Sequence, residues 1–155
     1  MSDKVYGIDL GTTYSAVAIV NELGLPEIVK NFVGEDTTPS VVYFNDDGTV
    51  DIGSQAKQTQ VSDPENACAL IKRHMGEEYP LEFRDQEYTP ESISALILKE
   101  LVNNANSQNG LDIHKVVITV PAYFGTQERQ ATKQAGEIAG LDVVGIIPEP
   151  VAAAI

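Results

Sequence analysis

Gly7-Ile8-Asp9-Leu10-Gly11-Thr12-Thr13-Tyr14-Ser15 puts an acidic residue near the end of one β-rich run and a turn of small residues before the next. The runs Val5 to Leu10 and Ser15 to Val20 flank Gly11-Thr12-Thr13-Tyr14, so the segment reads as an opening hairpin. Small turn residues let backbone N–H groups approach an anion, successive amides can form a nest for it, and the two threonine hydroxyls add donors. Asp9 stands beside that turn, placed to hold Mg²⁺ through water. The blander alternative is a turn whose Gly and Thr serve geometry alone, with Asp9 solvated or capped. No G-x-x-x-x-G-K-[ST] loop and no strand-linked G-x-G-x-x-G occurs, so a P-loop or dinucleotide fingerprint gives no support.

Working outward, Glu27 to Phe32 is a third β-rich run. Asn45-Asp46-Asp47-Gly48 joins the runs Ser40 to Phe44 and Thr49 to Ile52 as a second hairpin. Helices are expected at Ser54 to Gln60 and at Pro64 to His74, with a small hairpin between Tyr79 and Thr89. Thr89-Pro90 announces a helix to about Asn106, with Thr as N-cap, Pro at the first position, and Ile93, Leu96, Ile97, Leu101 and Ala105 on one apolar face. Lys115 to Val120 is a strand ended by Pro121. A helix from about Thr126 to Ala139 follows, stopped by Gly140, and then a strand from Val143 to Ile147. Val151-Ala152-Ala153-Ala154-Ile155 has the composition of a helix cut after one turn, which reads as a truncated boundary. Antiparallel strands followed by alternating helices and strands imply an α/β domain with a mixed sheet.

The 155 residues are 43% hydrophobic and 21% charged, a composition ordinary for one globular domain. Ten Lys and Arg against 23 Asp and Glu give a formal charge of −13, a field that repels nucleic acid and anionic membranes. An anionic ligand would therefore need local backbone amides or a divalent cation. Cys68 has no second cysteine to pair with and lies in an apolar stretch, as a buried structural thiol would. The opening residues lack a signal-peptide pattern and no run reaches membrane-span length, so a cytoplasmic protein is expected.

Three later features bear on chemistry. Val120-Pro121-Ala122-Tyr123-Phe124-Gly125 leads into a helix bearing Arg129 near its start, where a cation opposes the macrodipole unless a carboxylate partners it. Pro148-Glu149-Pro150 sets a carboxylate at a strand-to-helix corner; it serves equally as a cap or as a group facing a metal-bound phosphate and its attacking water. Lys72-Arg73 is unremarkable as a bare pair, since most such pairs are solvated.

In this order, five blocks resemble the DnaK-like, seventy-kilodalton heat-shock chaperones: Gly7 to Ser15, Thr37-Thr38-Pro39-Ser40, Lys72-Arg73, Val120 to Lys133, and Glu149-Pro150. The opening segment alone is shared with sugar kinases and other actin-like ATPases; the later blocks are more specific. The resemblance implies a ribonuclease-H-like, actin-like ATPase lobe over 1–155 with a reduced insertion subdomain at about 38–112. It implies ATP or ADP with Mg²⁺ as cofactors, and coupling of nucleotide state to unfolded peptide clients, with a J-domain co-chaperone and a nucleotide-exchange factor as partners. Gly11, Thr12 and Thr13 would contact the phosphates, Asp9 would position Mg²⁺ through its water shell, and Tyr14 would line the site. Lys72 would approach the γ-phosphate and help hold the attacking water, Glu149 would act from the opposite side on water or metal, and Pro121 and Arg129 would relay nucleotide state between domains without touching ATP.

Two departures stand against the family pattern. Gly76 to Thr89 is shorter than in many members, and Pro148-Glu149-Pro150-Val151 has Pro where the family usually has Asn and Val where it usually has Thr. The second phosphate loop and adenosine pocket would lie beyond Ile155, so the lobe alone is expected to bind nucleotide weakly and to turn over none. The alternatives are a nucleotide-binding scaffold without hydrolysis and a small-molecule kinase on the same fold.

Overall fold

The computed structural model describes residues 4–20 and 23–148. In chain order it holds β1 (Val5–Asp9), β2 (Tyr14–Val20), β3 (Pro26–Val29), β4 (Thr38–Pro39), β5 (Val42–Phe44), β6 (Val50–Ile52), α1 (Ser54–Ser62) and β7 (Ala67–Cys68). There follow β8 (Leu81–Phe83), β9 (Gln86–Tyr88), α2 (Pro90–Asn109), β10 (Lys115–Val120), α3 (Thr126–Ile138) and β11 (Asp142–Pro148).

The main sheet has the order β11-β10-β1-β2-β3, with β4 also paired to β2. β1 runs antiparallel to β2 and parallel to β10, and β10 runs parallel to β11. This is the mixed sheet expected from the sequence. Strand alternation explains its two faces: Tyr6, Ile8 and Leu10 are buried with Val116, Ile118 and Val120, while Val5 and Asp9 are exposed on the other side. The helices α2 and α3 pack against each other, and their apolar residues join the buried strand face in one core.

That core continues without a break through Val42, Phe44, Cys68 and Phe83, in the segment between β4 and α2. There β5 sits between β6 and β7 in a small antiparallel sheet, and β8 pairs with β9. The Phe44 and Phe83 rings stack at 4.5 Å, fixing the hairpin to the small sheet.

Local signals set the helix ends. Ser92 N–H donates to Thr89 Oγ1 (3.1 Å) and Thr89 N–H donates to Ser92 Oγ (2.8 Å), a reciprocal cap with Pro90 inside it. The helix runs to Asn109, slightly past the expected end at Asn106, because the left-handed residue that closes it is Gly110.

The helix expected over Pro64 to His74 is not formed. A short 3₁₀ turn at Pro64–Asn66 gives way to β7, and a second 3₁₀ turn covers Ile71–His74. Cys68 is opposite Val42 and Ala67 opposite Tyr43 on β5, and Leu70 takes a left-handed φ of 61°. Pairing with an open strand edge has overridden local helical preference. Cys68 is buried there as expected, and burial pushes its thiol up to about 11. Among the described residues, no helix is long and apolar enough to cross a membrane. The helix expected after Pro150 lies outside the described residues.

Candidate functional site

The register brings the carboxyl ends of the parallel strands level. Asp9 lies opposite Thr119, Thr119 opposite Ile147, and Val120 opposite Pro148. In open α/β sheets this edge is where ligands settle.

At that edge the turn after β1 is folded tightly on itself. A Cβ on Gly11 would lie 1.9 Å from the Tyr14 carbonyl oxygen, so no side chain fits. The turn is braced from beneath by two serines. Gly11 N–H donates to Ser15 Oγ (3.2 Å), Ser40 Oγ donates to the Gly11 carbonyl (2.9 Å), and the two hydroxyl oxygens lie 2.8 Å apart. Because the Ser40 proton goes to Gly11, Ser15 is the donor to Ser40, and the circuit closes without an unpaired group. Both serines are buried, at 1% and 2% exposure. Ser40 N–H also holds the Thr13 carbonyl at 2.8 Å. Among the described residues the Thr12 and Thr13 amides donate to no protein acceptor, so they remain available to an anion outside the turn.

Asp9 is exposed beside this turn, and its Oδ1 accepts from Thr119 Oγ1 at 3.1 Å. One carboxylate oxygen is thus held, and among the described residues no protein donor competes for the other. Tyr14 is 43% exposed, and its phenol oxygen accepts from Lys57 Nζ at 2.8 Å.

Lys72 departs from the usual solvated pair: it is only 5% exposed, while its neighbour Arg73 is exposed. Its ammonium lies 5.8 Å from the centroid of the Phe124 ring, in the loop that leaves β10. That loop is held from both ends. Phe124 N–H donates to the Pro121 carbonyl (3.0 Å), and Arg129 Nε donates to the Phe124 carbonyl (3.1 Å). The dipole argument called for a carboxylate beside Arg129, but among the described residues its partner is that carbonyl. The carboxylate at the start of α3 is Glu128, which accepts from Gly125 N–H at 2.7 Å. Glu149 lies outside the described residues.

Lys72, Arg73, Gly76, Tyr123, Phe124 and Glu128 border a pocket of about 250 Å³. A larger pocket, about 370 Å³, lies between Phe32, Gly53 and Leu101. Size does not decide between them, because neither includes the turn at Gly11 to Thr13. Among the described residues no group of three or more His, Cys, Asp or Glu is arranged to hold a metal.

The family profile described as Hsp70 protein matches residues 5–83 and 80–155. The chain belongs to the Hsp70 family. It is 53% identical over 153 residues to the chaperone protein DnaK of Halobacterium salinarum (strain ATCC 29341 / DSM 671 / R1), covering 98% of this chain and 24% of that one. It is 50% identical over 151 residues to the chaperone protein DnaK of Thermotoga petrophila, covering 97% of this chain and 25% of that one. The chain thus spans about a quarter of the length of these DnaK relatives.

Within this Hsp70 lobe, sequence reasoning passed over Thr119, Ser40 and Lys57 as individual site groups. Ser40 carried a faint signal, a hydroxyl between Pro39 and an apolar run. Thr119 looked like any β-branched strand residue, and nothing in the sequence links it to Asp9.

Proposed function

We propose that this chain is the phosphate-binding lobe of an ATP-hydrolysing chaperone. The observation that carries the reading is the serine-braced turn at Gly11, with the Thr12 and Thr13 amides that no acceptor among the described residues takes, beside an Asp9 carboxylate held by one oxygen. Such a turn suits the terminal phosphates of a nucleotide, and the free side of Asp9 suits the water shell of Mg²⁺ that comes with them. Because the protein groups do not form a cage of their own, the metal's remaining positions are left for phosphate and water. When bound, Mg²⁺ supplies charge neutralisation at the phosphates.

Lys72, desolvated against Phe124, is the group assigned to hold the attacking water near the terminal phosphate, with Glu149 on the opposite side. Its low exposure and its place beside the Phe124 ring support the assignment, since they hold the ammonium in one position. Pro121 and Arg129 both grip the Phe124 backbone, so they are suited to pass a change at Lys72 to the surface of α3.

The whole protein would couple this site to unfolded peptides, with a J-domain co-chaperone and a nucleotide-exchange factor, in the cytoplasm. The segment at about 38–112 is read as a reduced insertion subdomain. The isolated chain is assigned weak nucleotide binding and no turnover, because stabilising the transition state requires groups on both sides of the phosphate.

The test is single-turnover ATP hydrolysis by the full-length protein. Lys72→Met and Glu149→Gln should each slow the chemical step by about 100-fold or more. ATP affinity should change by no more than about threefold. An unchanged hydrolysis rate would discard these roles, and sustained hydrolysis by residues 1–155 alone would discard the half-site reading.

A further inference from the structure

We propose that His74 is a positioning residue for Lys72: its charged imidazole, clasped between Glu77 and Tyr79, locks the bend that closes the Lys72 turn and loosens it when the ring loses its proton. This rests on the role assigned to Lys72 above and adds a dependence on pH to it.

The bend needs a lock. Lys72 lies in the 3₁₀ turn Ile71–His74, and Met75 N–H donates to the Lys72 carbonyl at 3.3 Å. Gly76 follows with a φ of 83°, and glycine is the residue with most backbone freedom to lose there. Ser94 Oγ donates to the buried Met75 Sδ at 3.3 Å, which ties the stretch to α2. A Cβ on Gly76 would lie 3.1 Å from the Glu128 nitrogen, so the bend also rests on the start of α3. Lys72 itself meets Phe124 on the loop before α3. A change in the bend therefore moves the ammonium relative to that loop.

His74 closes the bend. Glu77 N–H donates to the His74 carbonyl at 3.1 Å, and His74 Nδ1 lies 3.2 Å from Glu77 Oε2. The imidazole also stacks on the Tyr79 ring, with centroids 3.7 Å apart and planes 5° apart. Two neutral rings avoid that face-to-face arrangement because their quadrupoles repel. A cationic ring is drawn to a phenol face instead. The Glu77 contact favours the same form. A neutral imidazole has one N–H for two nitrogens, while the charged ring donates from both and adds attraction to a carboxylate.

The surrounding charges agree. Lys72 and Arg73 on the same turn oppose a further cation, but Glu77 and Glu78 on the bend, Glu91 one turn before Ser94 on α2, and Glu128 at the start of α3 favour it. Imidazole is the side chain whose charge changes between about pH 5 and 8. The clasp is thus closed on the acid side of that range and slackens as pH rises through it.

The experiment follows single-turnover ATP hydrolysis by the full-length protein from about pH 5.5 to 8.5, the range over which imidazole titrates. Wild type is compared with His74→Phe, which keeps a ring on Tyr79 but carries no charge, with Glu77→Gln, and with both changes made singly in a Lys72→Met background. The rate of wild type relative to His74→Phe should fall about threefold as pH rises, the scale of one part-exposed ion pair. Glu77→Gln should make that step smaller, and because its side chain is 58% exposed it tests the same contact if His74→Phe fails to fold. ATP affinity, measured by equilibrium titration, should show no such step. In the Lys72→Met background neither change should matter, because no ammonium is left to position. A wild-type profile parallel to that of His74→Phe, or an equal step in the Lys72→Met background, would overturn the proposal while leaving the Lys72 assignment standing. Wild-type hydrolysis by Lys72→Met itself would overturn both.

Discussion

The ammonium of Lys72 and the ring of Phe124 face each other across 5.8 Å, joining the 3₁₀ turn at Ile71–His74 to the loop that leaves β10. The contact makes Phe124 more than a core residue, because its backbone is the one gripped by Pro121 and Arg129. Phe124→Leu keeps an apolar neighbour but removes the ring face, a loss of about 1 kcal/mol in cation–π attraction. Single-turnover hydrolysis by the full-length protein should fall about fivefold. ATP affinity should be little changed, and equilibrium titration checks that separately from the rate.

Gly11→Ala tests the turn itself. With the Tyr14 carbonyl 1.9 Å from the new Cβ, the turn has to open and the serine circuit beneath it has to break. Nucleotide affinity should fall by about 100-fold, the cost of losing several donors held in one geometry. Calorimetric titration of the full-length protein with MgADP measures it.

The β8–β9 hairpin turns through Arg84 and Asp85, with φ of 51° and 63°. Both are in the left-handed region that glycine occupies at little cost. Asp85→Gly should be neutral or raise stability by up to about 1 kcal/mol, whereas Asp85→Val should lower it by about 1–2 kcal/mol. Arg84 is a poor site for the same change, since its Nε donates to the Phe44 carbonyl at 3.0 Å. Urea unfolding midpoints distinguish these outcomes.

Tyr43 donates to Asp63 Oδ2 at 2.6 Å, and that bond shifts both groups in a way that makes local stability depend on pH. The Tyr43 hydrogen bond, aided by Asn66 and the Arg84 charge, holds the Asp63 carboxyl below its ordinary 3.8. Its stabilisation is therefore full above pH 3.8 and is lost as pH falls through the lower folded value. The same bond, with burial and the Asp63 charge, raises the Tyr43 phenol above 10.0, so its contribution is full below that and is lost as pH rises through the folded value. Asp63→Asn should flatten both limbs of the stability profile, measured by thermal unfolding across the pH range.

Much of this lobe was legible because the signals are local. Thr89-Pro90 and Gly110 mark the ends of α2 by capping chemistry, and the alternation in Val5 to Asp9 shows which side chains face the core. The turn at Gly11 to Thr13 was recognisable from its small residues. The stretch from Pro64 to His74 was misread for the opposite reason: its conformation follows from pairing with β5, which no periodicity within the stretch reveals.

The sequence by itself determined most of the strands, most helix boundaries, the mixed sheet and the family, since each depends on residue order within short windows or on motifs kept in register. Tertiary structure alone decided that Lys72 is buried, that Thr119 holds Asp9 across 110 positions, and that Ser40 braces a turn 25 positions from its partner Ser15. A hydroxyl or an ammonium carries the same chemistry wherever it stands in the chain. What it bonds depends on which strands pair and which loops they bring together, and that is settled only when the whole core closes.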